Sequence, residues 1–187
     1  MSEFLNTPLI PQSVFVKLAS VDRQTIENWV RAGSLKPAES GVERASESLR
    51  DIFGGGTLFS LGDLLKVELM EHARRTLAMP PKAASSFADD IISQRGSDIS
   101  SEIIRLVSDP HAERDDKMVV PFGMFSAESG GISAQQDKRS AETFMVLVPL
   151  GAFSERIAKK YSAYDKWAEI ELPKAKTVLA EMRSGNQ

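Results

Sequence analysis

The hydrophobic pattern divides the chain into a helical first part and a later part with strand-like runs. Val14, Leu18 and Ala19 fall at i, i+4 and i+5, and beyond a corner at Val21 and Asp22 the residues Ile26, Trp29 and Val30 follow at i, i+3 and i+4. Two short helices, about 13–20 and 22–32, are expected to share one small core. Ser13 is the expected N-cap of the first. Asp22 is that of the second, its carboxylate suited to the free first-turn amides and to the helix dipole. Gly33 supplies a left-handed stop, and Pro37 prevents the helix from resuming. Residues 1–12 contain Pro8 and Pro11 and show no period, so they are expected to form a flexible lead.

From Ala38 to Leu58 the chain turns polar, with Gly41 at one end and Gly54, Gly55 and Gly56 at the other. This pattern predicts an extended or irregular two-stranded excursion, with a short helix inside 43–52 as the alternative. Ser60 and Asp63 reproduce a capping box with the shorter acid, and the helix they open is expected over 61–78, carrying Leu61, Leu64, Leu65, Leu69, Ala73 and Leu77. Pro81 starts the next helix, which is expected to run to about Gln94 and to end at Gly96. A shorter helix carrying Ile103, Ile104, Leu106 and Val107 should follow. The charged stretch Asp109 to Asp116 reads as a hinge.

Past the hinge, Met118 to Phe125 and Thr143 to Leu150 are apolar runs rich in β-branched and aromatic residues, expected to pair antiparallel around a long loop. Being apolar on both faces, they call for cover by helices or by a second subunit. Gly151 to Trp167 and Pro173 to Arg183 return to helical spacing. The fold class expected is therefore mainly α with a small β content. Its divisions are the lead, a helical unit over 13–108, the hinge at 109–116, and an α+β dimerisation or sensor module over 117–187.

Composition narrows the function classes. At 187 residues, with 42% hydrophobic and 26% charged residues, the chain has the make-up of a globular protein. No cysteine is present, which excludes disulfides and thiolate metal sites and agrees with a reducing, cytoplasmic setting. No signal peptide and no membrane span are expected. The net charge of −3 is unhelpful to nucleic-acid binding, and each part of the chain is slightly acidic: residues 1–80 hold 9 basic and 10 acidic side chains, residues 81–187 hold 14 and 16. Any surface for DNA must be a local patch, weak in one copy and strengthened by a dimer that doubles the contacts.

Nothing in the pattern points to catalysis. Gly54-Gly55-Gly56 lacks the Lys-Ser/Thr ending of a phosphate loop and reads as a flexible tip. The two histidines, His72 and His111, share no visible site, and no cofactor or metal is expected. Asp89-Asp90 and Asp115-Asp116 are adjacent pairs whose side chains diverge, unlike the facing carboxylates of acid–base chemistry. Tyr161, Tyr164 and Trp167 share a helical face that packs in a core or dimer, or else lines a ligand pocket.

In their order, Val21 with Thr25-Ile26 and Trp29, then Gly33-Ser34-Leu35-Lys36-Pro37, Leu58-Phe59-Ser60, Asp63-Leu64-Leu65 and Met79-Pro80-Pro81 resemble the MerR-type winged helix-turn-helix, a relative of excisionase-like domains, over residues 13–94. The resemblance implies a second helix that enters the major groove, a wing on the backbone, and a dimer on a palindromic operator. Carried over by position, it makes Arg23, Gln24, Asn28 and Arg31 the groove-facing candidates and Lys36, Arg44 and Arg50 the wing-side phosphate contacts, with Thr25 also counted among the DNA-binding residues. This chain departs from the family in placing Asn28, not arginine, before Trp29. Its wing is also longer and more acidic, and no long coiled-coil helix is visible after Gly96. The function expected is a DNA-binding transcriptional regulator, a repressor acting as a homodimer, with a small-molecule or protein effector at 117–187. The alternative is an excisionase- or terminase-like adaptor whose C-terminal part binds a protein.

Overall fold

The computed structural model describes Leu5 and residues 8–37, 57–109, 111–125 and 144–171. The expected wing, its alternative helix, the loop between the two apolar runs, and the final helix all fall wholly or largely outside the described residues, as do Arg44 and Arg50. The described residues are mainly helical, with two small antiparallel two-stranded sheets.

Strand β1 (Pro8–Pro11) leads directly into helix α1 (Gln12–Ala19), and β1 pairs antiparallel with β2 (Leu58–Ser60). Leu5 and residues 8–12 of the lead expected to be flexible are thus anchored. Leu5 and Ile10 are buried in the core, and the prolines are compatible with a two-stranded ribbon, where a strand need donate on one side only. Phe15 of α1 stacks on Phe59 of β2 with ring centroids 4.1 Å apart. The start of α1 also differs from expectation: Pro11 rather than Ser13 occupies the cap, without a side-chain bond. The free amide of Gln12 is instead satisfied by the Thr57 carbonyl at 3.1 Å, a partner that the local sequence does not reveal.

Helix α3 (Leu61–Leu77) opens with the expected capping box. The Asp63 amide donates to Ser60 Oγ at 3.0 Å, and the Ser60 amide to Asp63 Oδ2 at 2.7 Å. Burial holds the Asp63 carboxyl above its ordinary range, outweighing the Ser60 bonds that pull it down. Gly62 is required here by close approach, since a Cβ on it would lie 2.9 Å from the Leu5 carbonyl oxygen.

Helix α4 (Pro81–Ser108) runs through Gly96 as one element of 28 residues, correcting the two shorter helices expected. Gly96 is buried on the face that carries Ile92, Ile99 and Ile103, so tertiary packing offsets the roughly 1 kcal/mol that glycine costs a helix interior. The chain therefore does hold a long helix in this region. It packs against α3 and against α5 (Leu150–Glu171) within the molecule.

Strands β3 (Val119–Phe125) and β4 (Phe144–Pro149) pair antiparallel, as expected, with an irregularity between Phe122 and Met124. Described residues from the part expected to be an α+β module beyond a hinge contribute to the core of the N-terminal helices. Val148, Leu150, Phe153, Ile157, Ala158 and Tyr164 join the same buried cluster as Phe15, Ile26 and Leu64. The connecting segment is tied down at several points. Glu102 accepts from Arg105 at 2.8 and 2.7 Å and from the Asp115 amide at 2.9 Å. Arg105 also donates to the Glu113 carbonyl, and Arg114 bridges Asp116 and Glu155. Glu68 of α3 joins Arg156 and Lys160 of α5. Among the described residues no helix is long and apolar enough to cross a membrane.

Candidate nucleic-acid interface

The two short helices of the N-terminal part meet at a three-residue corner, Ser20-Val21-Asp22, with Ser20 left-handed at φ 54°. Asp22 then caps α2 (Arg23–Arg31), accepting from the Thr25 amide at 2.8 Å and the Thr25 hydroxyl at 2.6 Å. Those two bonds, the hydroxyl first, hold the exposed Asp22 carboxyl below its ordinary range. Thr25 is thus spent on the cap. Both its amide and its hydroxyl are engaged at the corner.

The inner side of α2 is sealed by Ile26 and Trp29, at 0% and 4% exposure, and the chain leaving it buries Leu35. Gly33, at φ 70°, turns that chain. The Trp29 carbonyl then accepts from Ser34 and Leu35, while the buried Ser85 hydroxyl of α4 donates to the Ser34 carbonyl at 2.8 Å. Arg74 of α3 lies over the Trp29 ring, 5.6 Å from its centroid. Both ends of α2 and its inner face are therefore fixed by groups outside it. Ser85 and Arg74 were not among the residues singled out in the sequence, because nothing local connects them to α2.

The outer side is polar. Gln24, Asn28 and Arg31 are exposed at i, i+4 and i+7, one ridge along the helix. They are wired together: Gln24 Nε2 donates to Asn28 Oδ1 at 3.1 Å, and Arg31 Nη1 donates to the same oxygen at 3.3 Å. Arg23 lies beside the ridge but is paired with Glu27 at 2.7 Å, an i,i+4 contact that the sequence allowed. Lys17 and Lys36 are exposed nearby. Among the described residues no carboxylate pairs with Lys17, Arg31 or Lys36, whereas Asp22 is held by its cap and Glu27 by Arg23. Among the described residues around α2, the four cations Lys17, Arg23, Arg31 and Lys36 outnumber the two carboxylates Asp22 and Glu27, on a chain that is negative as a whole.

A shallow cleft of about 340 Å³ adjoins the end of the ridge, between Arg31 and Val30 of α2 and Thr57 and Phe59 beside the first sheet. A second groove, about 420 Å³, lies between the end of α4 and α5, lined by Leu106, Val107, Ala158 and Lys159 among others. His72 packs edge-on against Phe153, and burial with nearby Arg156 holds it below its ordinary range; His111 lies elsewhere, in the connecting segment. Among the described residues no three His, Asp or Glu side chains gather as a metal site. Comparison of the chain with protein-family models, with curated proteins and with solved structures returns no match.

Proposed function

We propose that this chain is a sequence-specific DNA-binding protein of the winged helix-turn-helix kind, a transcriptional regulator acting as a homodimer. The observation that carries the proposal is the exposed ridge Gln24–Asn28–Arg31, hydrogen-bonded along its length, on a short helix whose other side is anchored in the core. The corner Ser20-Val21-Asp22 has the three-residue length of a helix-turn-helix turn. A helix of about 10–12 Å overall diameter matches a major groove about 12 Å wide. The cations Lys17, Arg31 and Lys36, with which no carboxylate pairs among the described residues, supply the local attraction to phosphate that the overall charge lacks. Three such cations bind DNA weakly, and a second copy on a palindromic site doubles them.

Strand β2 follows directly on the stretch 38–58 that the resemblance assigns to the wing. In that arrangement Lys36, just after α2, contacts the backbone, and Arg31 reaches into the groove. A mobility-shift titration of the full chain with duplex DNA tests this. Arg31→Ala and Lys36→Glu should each weaken retardation, with far-UV circular dichroism unchanged because both positions are exposed. Retardation that neither substitution affects overturns the assignment of this surface.

A further inference from the structure

The ridge on α2 carries a bias in its hydrogen-bonding atoms that its residue types conceal. Asparagine and glutamine ordinarily read adenine, because a free amide offers an acceptor for the N6 amino group and a donor for N7. Asn28 is not in that state. Its Oδ1 already accepts from Gln24 Nε2 at 3.1 Å and from Arg31 Nη1 at 3.3 Å. Which amide atom is the oxygen follows from chemistry, since a guanidinium has no acceptor and donates only to oxygen here. A carbonyl oxygen has two lone pairs, and both are used. What Asn28 retains for a ligand is its amide nitrogen, a pure donor. Arg31 adds guanidinium donors one turn away, whereas Arg23 directs its Nε to Glu27.

We infer that the Asn28–Arg31 pair selects a guanine in each half-site, on the reading that α2 enters the major groove. Guanine presents two acceptors, N7 and O6, side by side on that edge. Adenine keeps N7 as an acceptor but sets its N6 donor where guanine has O6, so one donor of the pair is accepted and the other meets a donor. Thymine offers one acceptor, O4, beside a methyl group, and satisfies half of the pair. Gln24 is a positioning residue in this scheme: it occupies one lone pair of Asn28 and keeps that amide from presenting its oxygen to adenine. The departure from the resembled family at position 28 thereby acquires a chemical meaning.

The experiment is selection of bound duplexes from a random library by the full chain and by its Asn28→Ala, Arg31→Ala and Gln24→Ala variants, with circular dichroism checking that each variant keeps its helicity. The wild-type motif is expected to hold a guanine in each half-site, favoured over adenine by about 10–100-fold, the worth of one good bidentate contact. Asn28→Ala and Arg31→Ala should relax that position and leave the others in place. Gln24→Ala, which frees a lone pair of Asn28, should raise adenine there. A wild-type motif without such a guanine, or a guanine preference unchanged in both Asn28→Ala and Arg31→Ala, overturns the inference while DNA binding stands. Failure of the wild-type chain to retain any duplex overturns the DNA-binding reading itself.

Discussion

The single core makes a sharp demand on Phe153. This side chain is fully buried, its ring packs edge-on against His72 at 5.2 Å between centroids, and the Arg156 guanidinium covers its face at 4.4 Å. Phe153→Ala removes a large apolar group from a site where α5 meets α3, and such core truncations cost about 3–5 kcal/mol in lost transfer energy and residual cavity. For a chain of 187 residues, each kcal/mol lowers the midpoint by about 2–4 °C, so the melting temperature should fall by roughly 6–20 °C. The assay should report on α2, which lies in the other part of the chain. Trp29 is a suitable reporter once Trp167 is replaced by Phe, and its fluorescence can be followed beside far-UV circular dichroism. If α5 and α2 share one core, both probes shift together to the lower midpoint. If residues beyond 109 form a separate module, the Trp29 transition keeps its wild-type midpoint while part of the helical signal melts early. That split would refute the reasoning.

Two other perturbations address the backbone and the connecting segment. Ala78 closes α3 in the left-handed region at φ 51°, which a Cβ disfavours, so Ala78→Gly should raise stability by about 0.5–1 kcal/mol in urea denaturation. At Gly151 the opposite holds: a Cβ would lie 2.1 Å from the Asp115 carbonyl oxygen, so Gly151→Ala should destabilise by about 1–3 kcal/mol or more. Glu102 is held below its ordinary value of about 4.5, chiefly by the Arg105 hydrogen bonds. A carboxylate depressed in the folded state adds stability above its unfolded value and loses that contribution as pH falls through the folded one. Wild-type stability should therefore decline below about pH 4.5 more steeply than that of Glu102→Gln, and the two urea-midpoint curves should converge toward low pH.

What could be read from the sequence was what local chemistry decides. Asp22 and Gly33 mark the limits of α2 because a cap carboxylate and a left-handed stop act within a few residues, and Ser60 with Asp63 marks the start of α3 for the same reason. The ridge was also legible, since burial of Ile26 and Trp29 dictates which side of a 3.6-residue period faces outward. Three features were not. Gly96 continues a helix because isoleucines on its face are buried by α3 and α5, which a local pattern does not show. Pro8 to Pro11 becomes a strand because its partner lies some fifty residues away. The acidic 109–116 segment reads as a linker, yet the buried carboxylate of Glu102 and the Arg114–Glu155 pair fasten it to the core. At the candidate interface, no residue type announces that Asn28 Oδ1 accepts from both Gln24 and Arg31, the arrangement on which the proposed guanine preference rests.

The central claim, that α2 presents a DNA-binding surface, is tested most directly by fluorescence anisotropy of a labelled random-sequence duplex titrated with the full chain across a salt series. Saturable binding is expected at low salt, with a negative log–log salt slope that becomes shallower in Lys36→Ala by about one for each bound copy, hence by about two for a dimer. An anisotropy that stays flat at low salt up to about 100 µM protein, the weak end of ordinary non-specific binding, would contradict it.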